Sequence, residues 1–178
     1  MKNVKNTIYL DMDGVLADFD KHYFRNGRKS FVYEDFENEV MNNNLFRQLP
    51  LMPKYEEFIG GVLGIADKYD FDVEICSSVH TLDENMFNVA SEQKSWWLKN
   101  VAFLKTMNAN FVERKSGKAK FANPNTILID DSLECITYFK EAGGLGIVHK
   151  DVDSTLEILE TLVKGIKEDV YKNYCMAL

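Results

Sequence analysis

Cysteine, proline and histidine are scarce in this chain, three of each among 178 residues. The cysteines, Cys76, Cys135 and Cys175, are odd in number and far apart. That spacing excludes a disulfide framework and matches no zinc-ligand pattern. It fits a reduced, intracellular protein, and a cytoplasmic location is expected. Cys76 lies in an apolar stretch and reads as a small buried hydrophobe. With so few prolines and no low-complexity tract, repeat or Pro/Gly-rich linker, there is no place to divide the chain. One domain over residues 1–178 is expected, long enough for a real core and a small inserted cap. Missing too is any apolar run able to span a bilayer, and the first residues lead into no secretory hydrophobic region, so no membrane role is expected. Positive charge is in deficit: 21 Lys and Arg against 28 Asp and Glu leave a net charge of -7. That argues against a nucleic-acid polymer as partner, while a local basic site for a small phosphate remains open.

What is present is ordinary globular composition, 46% hydrophobic and 28% charged. Ile8 to Leu10 reads as a short strand buried on both faces, as in a parallel sheet. Further strands are expected at Phe71–Cys76, Phe111–Val112, Thr126–Ile129 and Leu145–Val148. Helices are expected at about Tyr55–Lys68, Ser91–Met107 and Leu133–Glu141. A long C-terminal helix should follow, with Ser154 as N-cap, Glu157 completing a capping box, and a stripe of Leu159, Leu162, Val163, Ile166, Val170 and Tyr174. Residues 18–50 differ: aromatics are interleaved with charged and amide residues, without strand alternation. We read them as a small helical cap after the first strand, closed by Pro50 and Pro53. Strands alternating with helices predict an α/β fold, a doubly wound, mainly parallel five-stranded sheet.

Ligands of such sheets bind at the carboxyl ends of the strands, near the switch point. Three polar clusters follow apolar strands there: Asp11/Asp13, Ser77/Ser78 and Asp130/Asp131. Asp11 and Asp13 are spaced so that both can point one way in an extended chain, and Gly14 permits a sharp turn after them. Carboxylates gathered at buried strand ends need a cation or a proton. With no histidine or cysteine at ligand spacing, the donor set suits a hard cation, magnesium. A carboxylate beside such an ion can attack phosphorus, with a hydroxyl and a lysine neutralising the phosphoryl oxygens.

Asp11-Met12-Asp13-Gly14-Val15, Ser77 after a strand, a downstream lysine and Ile129-Asp130-Asp131 together resemble the four motifs of the haloacid dehalogenase superfamily. The stretches DMDGVLADF from Asp11, LFRQLPLMP from Leu45, ICSS from Ile75, LIDD from Leu128 and AGGLGI from Ala142 further resemble its 5'(3')-deoxyribonucleotidases. The resemblance implies that Asp11 is a nucleophile forming a phosphoaspartate, and that Asp13 is the acid/base whose carbonyl binds metal. It implies that Asp131 ligates Mg2+, that Asp130 acts through a water, and that Ser77 and the lysine hold phosphate. Phe19, Phe46, Arg47 and Ser78 fall where the family contacts the nucleoside.

Lys115, Lys118 and Lys120 compete for the lysine role. Lys118 is favoured because it lies three and four residues from the apolar pair Phe121 and Ala122, whereas the family's usual spacing would select Lys120. Ser132 and Val79 stand where the nucleotidases commonly carry arginine and proline. The expected activity is Mg2+-dependent hydrolysis of a small phosphomonoester, a nucleoside monophosphate first. A polynucleotide 3'-phosphatase and a non-catalytic binding module are the alternatives. The oligomeric state stays open, a homodimer included.

Overall fold

The computed structural model describes residues 6–25 and 27–176, and of residues 169–176 the helical backbone only. Val170, Tyr174 and Cys175, and residues 1–5, therefore fall outside the described side chains. The strands are β1 (Thr7–Leu10), β2 (Asp72–Ser78), β3 (Ala109–Val112), β4 (Thr126–Asp130) and β5 (Leu145–Val148). The helices are α1 (Phe19–Tyr23), α2 (Tyr33–Asn43), α3 (Tyr55–Tyr69), α4 (Glu84–Asn100), α5 (Leu133–Glu141) and α6 (Val152–Met176). Short 3-10 helices occupy Leu45–Gln48 and Lys115–Phe121.

All strand pairings are parallel, in the order β3-β2-β1-β4-β5. The chain winds outward from β1 to β3, then returns to the other side of β1. The switch point therefore lies beside β1, as the doubly wound reading requires. Strand side chains alternate between the two faces. Ile8, Leu10, Ile127 and Ile129 share one core with residues of α3, α4 and α6. Tyr9, Cys76 and Leu128 face a smaller one with Cys135, Ile136 and Phe139 of α5.

Residues between β1 and α3 fold as α1, α2 and the first 3-10 helix. This segment hangs from a two-chain stem in which Asp18 N–H donates to Pro50 C=O (2.8 Å) and Met52 N–H to Leu16 C=O (2.9 Å). Arg28 joins α1 to α2 by pairing with Glu39 (2.6 Å) and donating to Tyr23 C=O.

Three element boundaries need correction. α4 starts at Glu84, not near Ser91, because Asp83 caps it, its Oδ1 accepting from Met86 N–H (2.7 Å). It stops at Asn100, since Val101 is extended and Phe103 takes a left-handed φ of 68°. The capping box at Ser154 is absent. Asp151 accepts from Ser154 N–H (2.9 Å) and Oγ (2.7 Å), so Ser154 sits inside the first turn. Finally, β2 runs on through Ser77 and Ser78. Pairing of Ser77 with Phe111 and of Ser78 with Val112 keeps both serines in the strand.

Candidate active site

Asp11 follows the last residue of β1, and its N–H donates to Ile129 C=O (2.9 Å), which fastens the strand's end to β4. The chain then folds back at once: Leu16 and Ala17 N–H both donate to Met12 C=O. Gly14 makes this turn with φ of 76°. A methyl group there would also press on the Asp131 carboxylate. The backbone angle demands glycine, and the close carboxylate adds to the cost of any side chain.

Lys118, fully buried, pairs with Asp11 Oδ1 at 2.9 Å and with Asp130 Oδ2 at 2.5 Å. Burial opposes its charge, but the two carboxylates outweigh burial and hold the ammonium above the usual lysine value. Asp130 is itself fixed, its Oδ1 accepting from Ser132 N–H (2.9 Å). Lys120 instead lies over the Phe121 ring, and Lys115 pairs with Glu134 (3.1 Å). Of the three candidate lysines, the one beside Asp11 is Lys118.

A second buried lysine was not anticipated. Lys94 of α4 is fully buried and pairs with Asp13 Oδ2 at 2.5 Å. It also donates to Ser77 Oγ (2.9 Å) and to Ser78 C=O (3.2 Å). A lysine on an amphipathic helix ordinarily faces solvent. The available signal was its place one turn from Ala90 and from Leu98, both buried on the same side of α4. Burial pushes the Asp13 carboxyl up, Lys94 pulls it down, and Asp11 adds to the rise, with a net upward result. Asp13 Oδ1 is buried and has no hydrogen-bond partner among the described residues. An acid of raised pKa with a free oxygen suits proton delivery.

A cavity of about 530 Å³ opens over this edge. Asp11, Asp13, Ser78, Asp130 and Asp131 line it, and Phe19, Phe31 and His80 form part of its wall. Ser77 is fully buried and lies behind the wall, held by Lys94. Phe46 reaches the cavity but is only 2% exposed. The Lys94 ammonium sits 4.4 Å from its ring centroid, and Phe19 and Phe36 pack against it. Its faces are thus largely taken, whereas Phe31 is 45% exposed.

Arg47 is not brought to the site. Its guanidinium makes two bonds to Glu92 (2.7 and 2.8 Å) and lies over the Trp96 ring. In this structure an accessible carboxylate and an indole on α4 hold the Arg47 side chain away from the cavity wall. Cys135 also lines the cavity, but burial pushes its thiol up to about 12, so it stays protonated and is no nucleophile.

Asp11, Asp130 and Asp131 each offer a carboxylate oxygen, all within 4.8 Å of one another. Burial first, and then Asp11, Asp130 and Asp13, push the Asp131 carboxyl up to about 7. An oxygen-only donor set of three carboxylates, with only the Lys118 ammonium paired against them, fits a hard divalent ion. Asp13's carboxylate is turned to Lys94 and stands outside this set.

No family model and no curated protein matches the chain. Among the described residues no helix is long and apolar enough to cross a membrane. Solved structures provide the remaining comparisons. The chain is similar to a HAD family hydrolase from Deinococcus radiodurans R1 with bound phosphate and sodium, at 11% identity and a TM-score of 0.43, over 87% of this chain and 88% of that one. It is also similar to a HAD-superfamily hydrolase from Ehrlichia chaffeensis, at 10% identity and a TM-score of 0.44, over 91% of this chain and 97% of that one.

Proposed function

We propose that the protein is a Mg2+-dependent phosphomonoester hydrolase of the haloacid dehalogenase type, with (deoxy)nucleoside monophosphates as its substrates, as in the 5'(3')-deoxyribonucleotidases. One observation carries the reading. A carboxylate at the end of β1 has a buried lysine on one side, while a second carboxylate of raised pKa, two residues on, is held by another.

The chemistry follows from these positions. An Asp11 carboxylate oxygen attacks phosphorus, and the bond from phosphorus to the leaving oxygen breaks. Asp13 gives that oxygen its proton. In the second half Asp13 takes a proton from water as the water oxygen bonds to phosphorus. The bond to Asp11 then breaks, which releases inorganic phosphate and restores both residues. Lys118 holds Asp11 in place and offers positive charge to the phosphoryl oxygens. Lys94 holds Asp13 aimed and steadies Ser77. Asp11, Asp131 and the Asp13 carbonyl would hold Mg2+, with Asp130 behind them, and the bound ion would offset charge on the transferring phosphoryl group. Phe19 and Phe31 give the cavity aromatic surface for a planar base, where stacking is worth roughly 1–3 kcal/mol.

The test is turnover of p-nitrophenyl phosphate with Mg2+, after EDTA treatment, and by Asp11→Asn. Metal-dependent activity that falls at least a thousandfold in Asp11→Asn, with the Tm preserved, is expected. Activity within tenfold of wild type in that variant would rule out the covalent mechanism. Full activity after EDTA would remove the metal.

A further inference from the structure

A second cavity, of about 550 Å³, lies beside the first and is lined by Tyr33, His80, Thr81, Leu82, Asp83 and Arg114. His80 lines both cavities, so the two share a wall. The roof belongs to the cap segment: Tyr33 Oη meets Thr81 Oγ1 at 3.1 Å. The floor is fixed by the sheet, for Val79 N–H donates to Val112 C=O (2.7 Å) and Thr81 N–H to Glu113 C=O (3.3 Å). Arg114, next in the chain, is thereby held at the carboxyl end of β3. Its side chain is exposed and forms no hydrogen bond or ion pair among the described residues. Asp83, the acid in this cavity, spends Oδ1 on the α4 cap.

Charge divides the mouth. Asp18 and Asp20, at the start of α1, line the first cavity, and its Lys115 is already paired with Glu134. His80 and Arg114 lie on the other side. His80 has a ring N–H to donate in either charge state, and a guanidinium offers a fork that matches carboxylate or phosphate oxygens. β3 is two strands from β1. At about 4.8 Å per strand, Arg114 stands roughly 10 Å across the sheet from the nucleophile's strand. A group bound there belongs to the leaving-group half of the substrate and not to the phosphoryl group under attack.

We propose that the His80–Arg114 cavity is a subsite for a second anionic group on the leaving-group side, so that the favoured substrates are doubly anionic phosphomonoesters such as nucleoside bisphosphates. This rests on the phosphatase reading and names the substrate class of the same site.

Thymidine 3',5'-bisphosphate, thymidine 5'-monophosphate and p-nitrophenyl phosphate are the probes, with wild type, Arg114→Gln and Arg114→Lys compared. The expected result is a wild-type kcat/KM at least tenfold higher for the bisphosphate than for the monophosphate. That preference should fall to near one in Arg114→Gln, through KM, and be partly kept in Arg114→Lys. Equal wild-type values, or a preference unchanged in Arg114→Gln, would overturn the subsite. If none of the three probes is turned over, the phosphatase reading fails on its own, and calorimetry decides the subsite. Bisphosphate binding tenfold tighter than monophosphate, lost in Arg114→Gln, supports the subsite; equal affinities refute it.

Discussion

The carboxyl edge of the sheet and the cap segment above it are built on opposite principles. At the edge, buried charges are held in fixed places by other charges: Lys118 between Asp11 and Asp130, Lys94 against Asp13. In the cap segment, position comes from aromatic packing, with Phe19, Tyr23, Phe36 and Phe46 in mutual ring contact. Two buried side chains of α4 join the regions. Gln93 donates to Val40 C=O and accepts from Phe46 N–H, and Trp97 Nε1 donates to Leu49 C=O (2.8 Å). Lys94 sits between them in the chain and belongs to both regions. The edge therefore determines chemistry, while the cap segment determines the shape of the space above it. Substitutions can show how separable the two are.

The largest effect on stability is expected at Phe46, from packing and not from substrate. Its ring is buried among Phe19, Phe36 and the Lys94 ammonium. Phe46→Ala should cost about 3 kcal/mol of stability through lost burial and the cavity left behind. The Tm should fall accordingly, and nucleotide and p-nitrophenyl phosphate turnover should decline together. A normal Tm with a KM raised tenfold for nucleotides alone would make Phe46 a stacking platform instead.

Lys94→Met crosses the boundary between the regions. The substitution keeps the length of the side chain but removes the charge that aims Asp13 and steadies Ser77. We expect kcat to fall about a hundredfold, roughly 2.7 kcal/mol of barrier. Lys94 holds the Asp13 carboxyl down, so without it that group should titrate higher. The limb of the pH–rate profile that reports Asp13 should move to higher pH. A rise in KM with kcat and profile unchanged would mean that Lys94 serves binding alone.

The same contrast explains what could be read from the sequence. The strands and the acidic clusters were legible because apolar runs and abrupt polar ends are local signals: Asp11 and Asp13 come just after β1, and Asp130 and Asp131 stand at the end of β4. Lys118 was selected from its distance to Phe121 and Ala122, which is again local. Lys94 was not legible, since α4 was placed to begin at Ser91 and the turn holding Asp83, its real cap, was overlooked. A helix face drawn from too short a segment hides a charge on its packing side. Arg47 is the opposite case. Family resemblance put it at the nucleoside, and only the fold shows that Glu92 and Trp96 hold it. Partners 45 residues distant leave no mark on a local pattern.

At the edge, Mg2+ should matter for stability only above a certain pH. In the metal-free protein Asp131 is pushed up to about 7, well above the ordinary value of about 3.9. The folded state therefore keeps a proton that the unfolded chain releases. The stability this contributes is present below about pH 4 and is lost as pH rises through 7. Metal-free protein should have a lower Tm at pH 8 than at pH 5. Mg2+ needs the ionised carboxylate, so at tenfold above its Kd it should restore about 1.4 kcal/mol at pH 8, and little at pH 5. An equal Mg2+ effect at both pH values would place the ion elsewhere.

The smallest effect is expected at Arg47, and it sharpens the comparison most. Motif resemblance puts this residue at the nucleoside, whereas the fold puts it on the outer side of α4 with Glu92, whose side chain is 63% exposed. An ion pair that open to water contributes about 0–1 kcal/mol. Arg47→Ala should therefore shift the Tm by no more than a few degrees. With the guanidinium absent from the cavity wall, KM for thymidine 5'-monophosphate should change less than twofold, under about 0.4 kcal/mol. Glu92→Gln offers a control, because it frees the guanidinium without removing it. If Arg47→Ala raises KM tenfold while Glu92→Gln lowers it, the arginine swings from Glu92 to the substrate on binding. The cap segment would then supply charge as well as shape, and the division between the two regions would fail at this residue.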